Sequence, residues 1–422
     1  AMEAEDEIYY HYGKEPTPFA YNATLQALLN AGYQQTAGTF HNLTATTANT
    51  VSGQFEAALD RAHLKVSSGA FDYKSAVKSA VDSLADTMKY VTYPTGHTDT
   101  LEVAARRAVL TGVNQTGAKL QVARADEMGV EFFETTAHGG ARPSHAEWQG
   151  RQFHRGGAVD YMGKHYPDFE AATGYGTGAG LCGWNCRHTF FSIFPELGPA
   201  PAWTQADLEA LNARNIEYNG GRYTRYEISQ MQRARERTVH KYKRRYLAED
   251  AAGADTTASA VKLRQARQEL ADFISATGGR VDSARTSVAG FGRSEAGKSS
   301  YTARKQERFD SANVELQQMR EAGTIKAKGK LIESPPAPNE INFASEHVLQ
   351  RWAERGMGPM DAERIIRSSK VAMSQRNGTQ TCYYSEYGFV AIGQNGNVSS
   401  IGPLDEGGQK LMEVVKKHGI PH

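Results

Sequence analysis

Apolar positions in the first third of the chain recur mostly at steps of three or four residues. This spacing places them on one side of a helix, as for Leu25, Leu28 and Leu29. The same pattern predicts one long helix from about 100 to 128. Gly129 follows it, and glycine commonly ends a helix because it adopts left-handed backbone readily. We therefore predict a helical region over residues 1–130.

The helical pattern is lost after this region. Residues 130–136 (VEFFETT) predict a short strand. Beyond them no regular period is visible, and glycines recur at positions 174, 176, 178, 180 and 183. Such glycines are typical of positive φ or of close backbone approach. We predict a loop-rich core over residues 131–200, rich in Gly, His and Trp.

The middle of the chain again shows helical spacing. Helices are predicted over 205–213, 229–248, 256–277 and 305–322, whereas the Gly/Ser/Arg-rich residues 278–304 predict weak order. The second of these helices is basic, with seven Lys or Arg against one Glu between residues 231 and 247. A solvated helix face is the simpler interpretation, and contact with DNA or an acidic neighbour is the alternative. We assign residues 201–330 to a helical, partly basic connector.

A proline-rich linker, LIESPPAPNEIN at 331–342, precedes a change of pattern. Over 343–422 the chain predicts a helix at 344–357 and a second one from Pro359. Short strands follow at 371–374, 381–385, 389–394 and 397–402, and a last helix covers 405–418. Asn-Gly pairs at 377–378 and 395–396 are strong hairpin signals. The fold class is therefore multidomain: mainly α-helical N-terminal and middle regions around the loop-rich core, plus a small α+β domain of two helices, an antiparallel meander and a helix.

Composition excludes several classes of protein. A formal charge of +1 over 422 residues gives no global nucleic-acid or membrane signal. Three cysteines cannot form a disulfide framework, which fits a reducing compartment. No apolar run approaches the roughly 18 residues that a membrane-spanning helix needs, and the acidic opening is unlike a signal peptide.

Unusual chemistry concentrates in residues 135–196, which we call the signature region. It holds five of the chain's 13 histidines and two of its three cysteines. The favoured interpretation is structural, with polar and aromatic side chains as buried pins of the loop core. Those pins are His138, Arg142, His145, Trp148, Asn185, Cys186, Arg187 and His188.

Two other interpretations of the signature region stay open. A metal ion, zinc being the natural candidate, would use ligands from His138, His145, Cys182, Cys186 and His188, although Cys-x3-Cys-x-His is not a common zinc spacing. The second interpretation is a thiol nucleophile at Cys186 with a histidine base. No cofactor is the default expectation. The glycine run is no phosphate loop, because no Gly-Lys-Ser/Thr follows it.

The C-terminal module carries a second candidate site. His347, Arg351 and Arg355 are spaced by four residues, so they share one helix face. A metal-independent ribonuclease needs a base for the 2′-hydroxyl and cations for the pentacoordinate phosphate, which imidazole and guanidinium groups supply. The alternative is a solvated helix face.

The motifs HGGARPSHAEWQG (138–150) and GYGTGAGLCGWNCRH (174–188) resemble the signature of the phage minor capsid protein 2 family, related in role to Mu F-like head morphogenesis proteins. The resemblance covers residues 90–200 most densely. It implies a head-assembly component of a phage or prophage, located in the virion and in the bacterial host cytoplasm. The implied partners are portal and capsid proteins.

The C-terminal layout is similar to the barnase/EndoU/colicin/RelE-like (BECR) group of nuclease toxin domains, which are often fused to phage head proteins. This resemblance implies a ribonuclease, RNA as substrate, and the helix residues His347, Arg351 and Arg355 as catalytic groups. Polar groups of the sheet would join them, namely Arg376, Thr381, Tyr383 and Ser400. A toxic domain needs restraint during production, so a cognate immunity protein or a self-masking contact is expected. The rivals are a purely structural binding module and a zinc-stabilised assembly factor.

Overall fold

The structure is a computed structural model that describes residues 2–41, 57–62, 64–66, 72–84, 90–92, 98–198, 200–336, 338, 340–343 and 346–421. Two compact units make up the chain: residues 1–237 with 270–289, and residues 238–269 with 290–422. Each unit has its own hydrophobic clusters.

The described part of the first unit is mainly helical. Its helices are α1 (Met2–His11), α2 (Ala23–His41), α3 (Tyr73–Leu84), α4 (Leu101–Met128), α5 (Pro143–Ala146), α6 (Phe169–Thr173), α7 (Gln205–Asn212), the first part of α8 (Arg225–Ala251), the last part of α9 (Thr257–Thr277) and α10 (Ser283–Thr286). Residues 57–62 are also helical. The structure therefore has an N-terminal helical region, within which the short strands at 90–92 and 98–100 were not predicted. Residues 1, 42–56, 63, 67–71, 85–89 and 93–97 of the predicted region lie outside the described part.

The strands of this unit are short and antiparallel. They are β1 (Tyr90–Thr92), β2 (Thr98–Thr100), β3 (Phe132–Thr135), β4 (Gln152–His154), β5 (Val159–Tyr161), β6 (Lys164–Tyr166), β7 (Phe190–Ser192), β8 (Ile216–Tyr218) and β9 (Gly221–Tyr223). β3 is the strand predicted within residues 130–136. It lies in the middle of a three-stranded sheet, with β4 on one side and β7 on the other.

Helix α4 is the longest element of the first unit. It ends at Gly129, whose φ of 65° confirms the predicted left-handed stop. Ala104, Ala105 and Val109 from its first half are buried in a cluster with residues of the 57–62 stretch and of α3. Alanine-rich faces let helices approach closely, so this half of α4 is held by packing.

The second half of α4 carries a fully buried cation. The Arg124 side chain has no exposed surface; its Nε lies 2.9 Å from Asp6 Oδ1 and its Nη1 lies 2.6 Å from Glu127 Oε2. Nη1 also donates to the carbonyl of Thr17 at 2.7 Å. A buried guanidinium is tolerated because its donors meet carboxylate and carbonyl oxygens. These contacts attach α1 and the segment before α2 to α4.

The second unit is built on a five-stranded antiparallel sheet. The strands lie in the order β10 (Lys330–Glu333), β11 (Val371–Gln375), β12 (Gln380–Ser385), β13 (Gly388–Gly393) and β14 (Val398–Gly402). The helices of this unit outside α8 and α9 are α11 (Arg293–Glu321), α12 (Glu346–Arg355), α13 (Pro359–Ser368) and α14 (Glu406–Lys417). The predicted antiparallel sheet is present and has a first strand, β10, that the pattern does not predict. The start of the first predicted helix, residues 344–345, lies outside the described part.

Helices cover both faces of this sheet. Phe309 and Leu316 of α11 and Leu411 of α14 pack with Met373 and Cys382 on one face. Val348 of α12 and Ile365 of α13 pack with Tyr383, Val390 and Ile401 on the other. Successive residues of a strand point to opposite faces of the sheet. Because helices cover both faces, the residues that point to either face are apolar.

Two elements begin earlier in the chain than the sequence pattern indicates. β10 pairs with β11 through residues predicted as the end of the connector and the start of the linker. Helix α11 begins at Arg293, inside the stretch predicted to be weakly ordered. That prediction is wrong for residues 293–304 because Ser299 and Ala303 are buried there, and tertiary packing outweighs local composition. The division of the chain into five ranges stays a prediction.

Candidate functional site

The signature region is held between the strands of the three-stranded sheet. β3 leads into it, helix α5 carries His145, and β7 begins two residues after His188. Behind it lies an aromatic cluster in which Phe133, Phe169 and Phe190 meet at centroid distances of 5.0–5.1 Å. The signature region is therefore anchored on a packed aromatic base.

The glycine run closes the loop on itself. A Cβ on Gly180 would overlap the carbonyl oxygen of Gly174, and one on Gly183 would overlap that of Gly178. Cys182 and Asn185 adopt positive φ, at 59° and 55°, which few non-glycine residues do. Glycine is required here by close backbone approach, as its spacing predicts.

Three histidine rings gather in this fold. His138 stacks on His188 with ring centroids 4.2 Å apart, and Trp148 meets His188 edge-on at 4.9 Å. His145 Nδ1 lies 3.4 Å from His188 Nδ1. The Cys186 sulfur lies 3.7 Å from both of these nitrogens.

Hydrogen bonds fix the tautomers of His145 and His188. Gln149 Oε1 accepts the backbone N–H of His138, which identifies that atom as the amide oxygen. His188 Nε2, 3.1 Å from the same oxygen, must therefore donate to it. His145 Nε2 donates to the carbonyl of Ala179 at 2.9 Å. In the neutral rings both Nδ1 atoms are consequently bare lone pairs.

Burial favours the uncharged forms of the histidines and of Cys186. Burial, with the neighbouring His138 and His145, lowers the pKa of His188 to about 3. It also lowers the pKa of His138 and of His145 and raises the pKa of the Cys186 thiol. A raised pKa is the opposite of what an activated cysteine nucleophile needs. The local environment therefore does not favour the thiol-nucleophile alternative.

The structure brings some of the predicted signature residues together and separates others. His138, His145, Trp148, Cys186 and His188 form one cluster. Cys182 is buried beside it, but its thiol contacts the backbone carbonyl of His188.

Three of the expected pins lie outside this cluster. Arg142 donates to the carbonyl of Trp184. Asn185 and Arg187 are exposed, because the tight turn around Asn185 carries them to the surface. The expectation of buried pins is wrong for these two residues.

Gln149 organises the cluster but is not among the residues predicted from the sequence. Its side chain is fully buried and links three elements, since its Nε2 also donates to Asn212 Oδ1 of α7. The available signal was its place four residues after His145, within the same motif. Spacing alone does not separate such a glutamine from a surface one.

The C-terminal candidate residues are spread over several elements. The backbone of His347 and Arg351 lies in α12, and their side chains are outside the described residues. Arg355 Nη1 donates to the Ile401 carbonyl at 2.6 Å. Arg376 lies exposed in the β11–β12 connection with a φ of 49°.

The polar sheet residues do not share one face. Tyr383 is buried under α12 and α13, and its hydroxyl donates to the Pro336 carbonyl at 3.2 Å. Thr381 pairs with Ile392 of that same face. Ser400 pairs with Ala391, which belongs to the face covered by α11 and α14. Tyr383 and Ser400 are therefore on opposite sides of the sheet.

Comparison with protein families gives the class of protein, a minor capsid protein of phages. The profile of the family named phage minor capsid protein 2 matches residues 1–275, more than half of the chain, and the chain belongs to this family. Membership supports a role in phage head morphogenesis and association with the virion. No curated protein and no solved structure matches the chain.

Among the helices of the described residues, none is both long enough and apolar enough to cross a bilayer.

Proposed function

We propose that the chain is an architectural component of the phage head that contacts portal or capsid proteins through the surface of its signature region. The supporting observation is the contrast within that region. His145, Trp148 and His188 are buried, whereas Trp184 at the loop surface is 59% exposed. A large exposed aromatic beside a rigid base is a common feature of protein contact sites.

Assembly of heads with a Trp184→Ala chain tests this role. We expect less of the variant chain in purified particles, because the aromatic contact is removed while the buried base is untouched. Tyr301→Ala is the matched control, since Tyr301 is 62% exposed in the second unit. Equal incorporation of all three chains would contradict the contact through Trp184.

We propose in addition that the C-terminal part of the chain is a metal-independent ribonuclease. What supports it is the sequence of α12, where His347, Arg351 and Arg355 recur at four-residue steps along one side of the helix. Imidazole would take the proton of the 2′-hydroxyl, and the guanidiniums would stabilise the charge that develops on the phosphate. In the host, such an activity calls for a cognate immunity protein.

The assay uses the full chain, because α11 and β10 complete the core around the sheet. Wild type, His347→Ala and the same-helix control Gln350→Ala are incubated with total RNA and with tRNA, with and without EDTA. We expect cleavage by wild type and Gln350→Ala that survives EDTA, and none by His347→Ala. Intact RNA with every chain would favour the rival function, a structural binding module that catalyses nothing.

A further inference from the structure

The cluster of His145, Cys186 and His188 has the dimensions of a metal site. One donor atom from each side chain lies within 4.8 Å of the others. The two nitrogens are 3.4 Å apart, and each is 3.7 Å from the sulfur. In a tetrahedral zinc site, bonds of about 2.05 Å to nitrogen and 2.3 Å to sulfur give edges of about 3.3 Å between nitrogens and about 3.6 Å between nitrogen and sulfur. All three distances between the donor atoms therefore match those of a tetrahedral zinc site.

The hydrogen-bond pattern also fits a ligand set. Each ring donates its Nε2–H to an oxygen, His145 to Ala179 and His188 to Gln149, so both Nδ1 lone pairs face the same point. Outer-sphere acceptors of this kind orient the histidines of metal sites. Of the three donor atoms, only the Cys186 sulfur carries a proton. Two lone pairs at 3.4 Å with at most one shared proton repel each other, and a cation between them removes that repulsion.

We propose that His145, Cys186 and His188 bind one zinc ion in the first unit. The two imidazoles and the thiolate make a nitrogen–sulfur set that zinc favours. Binding releases the Cys186 proton to solvent, which leaves a thiolate and two neutral rings around the ion. A water molecule fills the fourth position of the ion, as in zinc sites with three protein ligands.

The ion would cross-link parts of the chain that are far apart in sequence. His145 and His188 are 43 residues apart, one on α5 and the other just before β7. Residues 174–188, the last part of the stretch between them, contain no helix or strand. Zinc binding therefore stabilises the folded signature region, because the unfolded chain has no formed site to bind the ion.

The test is the metal content of the purified full chain, measured by elemental mass spectrometry against protein concentration. Wild type is expected to hold one zinc per chain, and Cys186→Ser and His188→Asn at least tenfold less. The matched control is Cys182→Ser, a buried cysteine of the same loop whose sulfur faces a carbonyl. It is expected to keep the metal. Far-UV circular dichroism checks that each variant is folded.

Cobalt substitution of wild type makes the test independent of variant folding. Reconstitution with Co²⁺ should give a thiolate-to-cobalt charge-transfer band and the visible absorption of a tetrahedral ion. A wild-type chain that carries no zinc and takes up neither ion when they are added would overturn the proposal. So would full zinc content in folded Cys186→Ser, or loss of zinc from folded Cys182→Ser.

Discussion

Replacement of Arg124 by methionine tests how the first unit is held together. In the native chain the guanidinium is fully buried and contacts Asp6, Glu127 and the Thr17 carbonyl. Methionine fills a similar volume but leaves two carboxylates without their cation. Burial raises the pKa of Asp6, and this outweighs the opposing effect of Arg124. Asp6 is thus already costly to keep ionised in the folded state.

Removal of one partner from a buried ion pair costs about 3–5 kcal/mol of unfolding free energy. The carboxylate side chains are 17% and 22% exposed. Water reaches them in part, so we expect the lower end, about 3 kcal/mol. Lys78→Met is the control, because Lys78 and Asp82 form an exposed i,i+4 pair in the same unit. Such a pair contributes about 0.3–0.5 kcal/mol.

Urea unfolding followed by tryptophan fluorescence is the assay, since three of the four tryptophans lie in the first unit. The midpoint should fall for Arg124→Met with an unchanged dependence on urea, and remain near the wild-type value for Lys78→Met. Adding Asp6→Asn to Arg124→Met should recover part of the loss. An Arg124→Met chain within 1 kcal/mol of wild type would refute the reasoning that a buried charge network fastens α1 to α4.

Three further predictions concern other parts of the chain. Burial raises the pKa of Glu134, so its neutral form stabilises the fold at low pH and this contribution is lost as pH rises through the folded-state pKa. Glu134→Gln should therefore weaken the decline in urea midpoint as pH rises above 4.5, the ordinary glutamate pKa, and an unchanged decline would show that Glu134 does not cause it. Gln149→Ala removes the acceptor of His188 and should lower zinc affinity about 10–100-fold in a chelator competition; unchanged affinity would show that the amide does not orient the ring. Leu316→Ala empties a fully buried position under the sheet and should cost about 2–5 kcal/mol in unfolding of the second unit, whereas a C-terminal sheet independent of α11 would show no change.

Sequence patterns were most informative where structure depends on near neighbours. The helix of residues 100–128, its stop at Gly129 and the elements from Pro359 onward follow from apolar period and turn chemistry. Glycine spacing likewise indicated close backbone approach in the signature region. All of these are decided within a few residues of the chain, so the local sequence carries the information.

Strand β10 of the C-terminal sheet could not be predicted from local sequence patterns. Lys330–Glu333 is only four residues long and is followed by prolines, which favour a linker by composition. It becomes a strand because its backbone pairs with β11 and Leu331 enters a core that α11 also covers. Local composition does not indicate that this segment pairs with β11.

The candidate site shows the same division between sequence and structure. By itself the sequence determined the family, the helices and strands with regular periods, and a pool of five metal-capable residues in the signature region. Only the tertiary structure selected His145, Cys186 and His188 from that pool and set His138 and Cys182 aside. The reason is that His145 and His188 meet across 43 residues. Their approach depends on how α5, the glycine loop and β7 close on one another, and no local spacing encodes that closure.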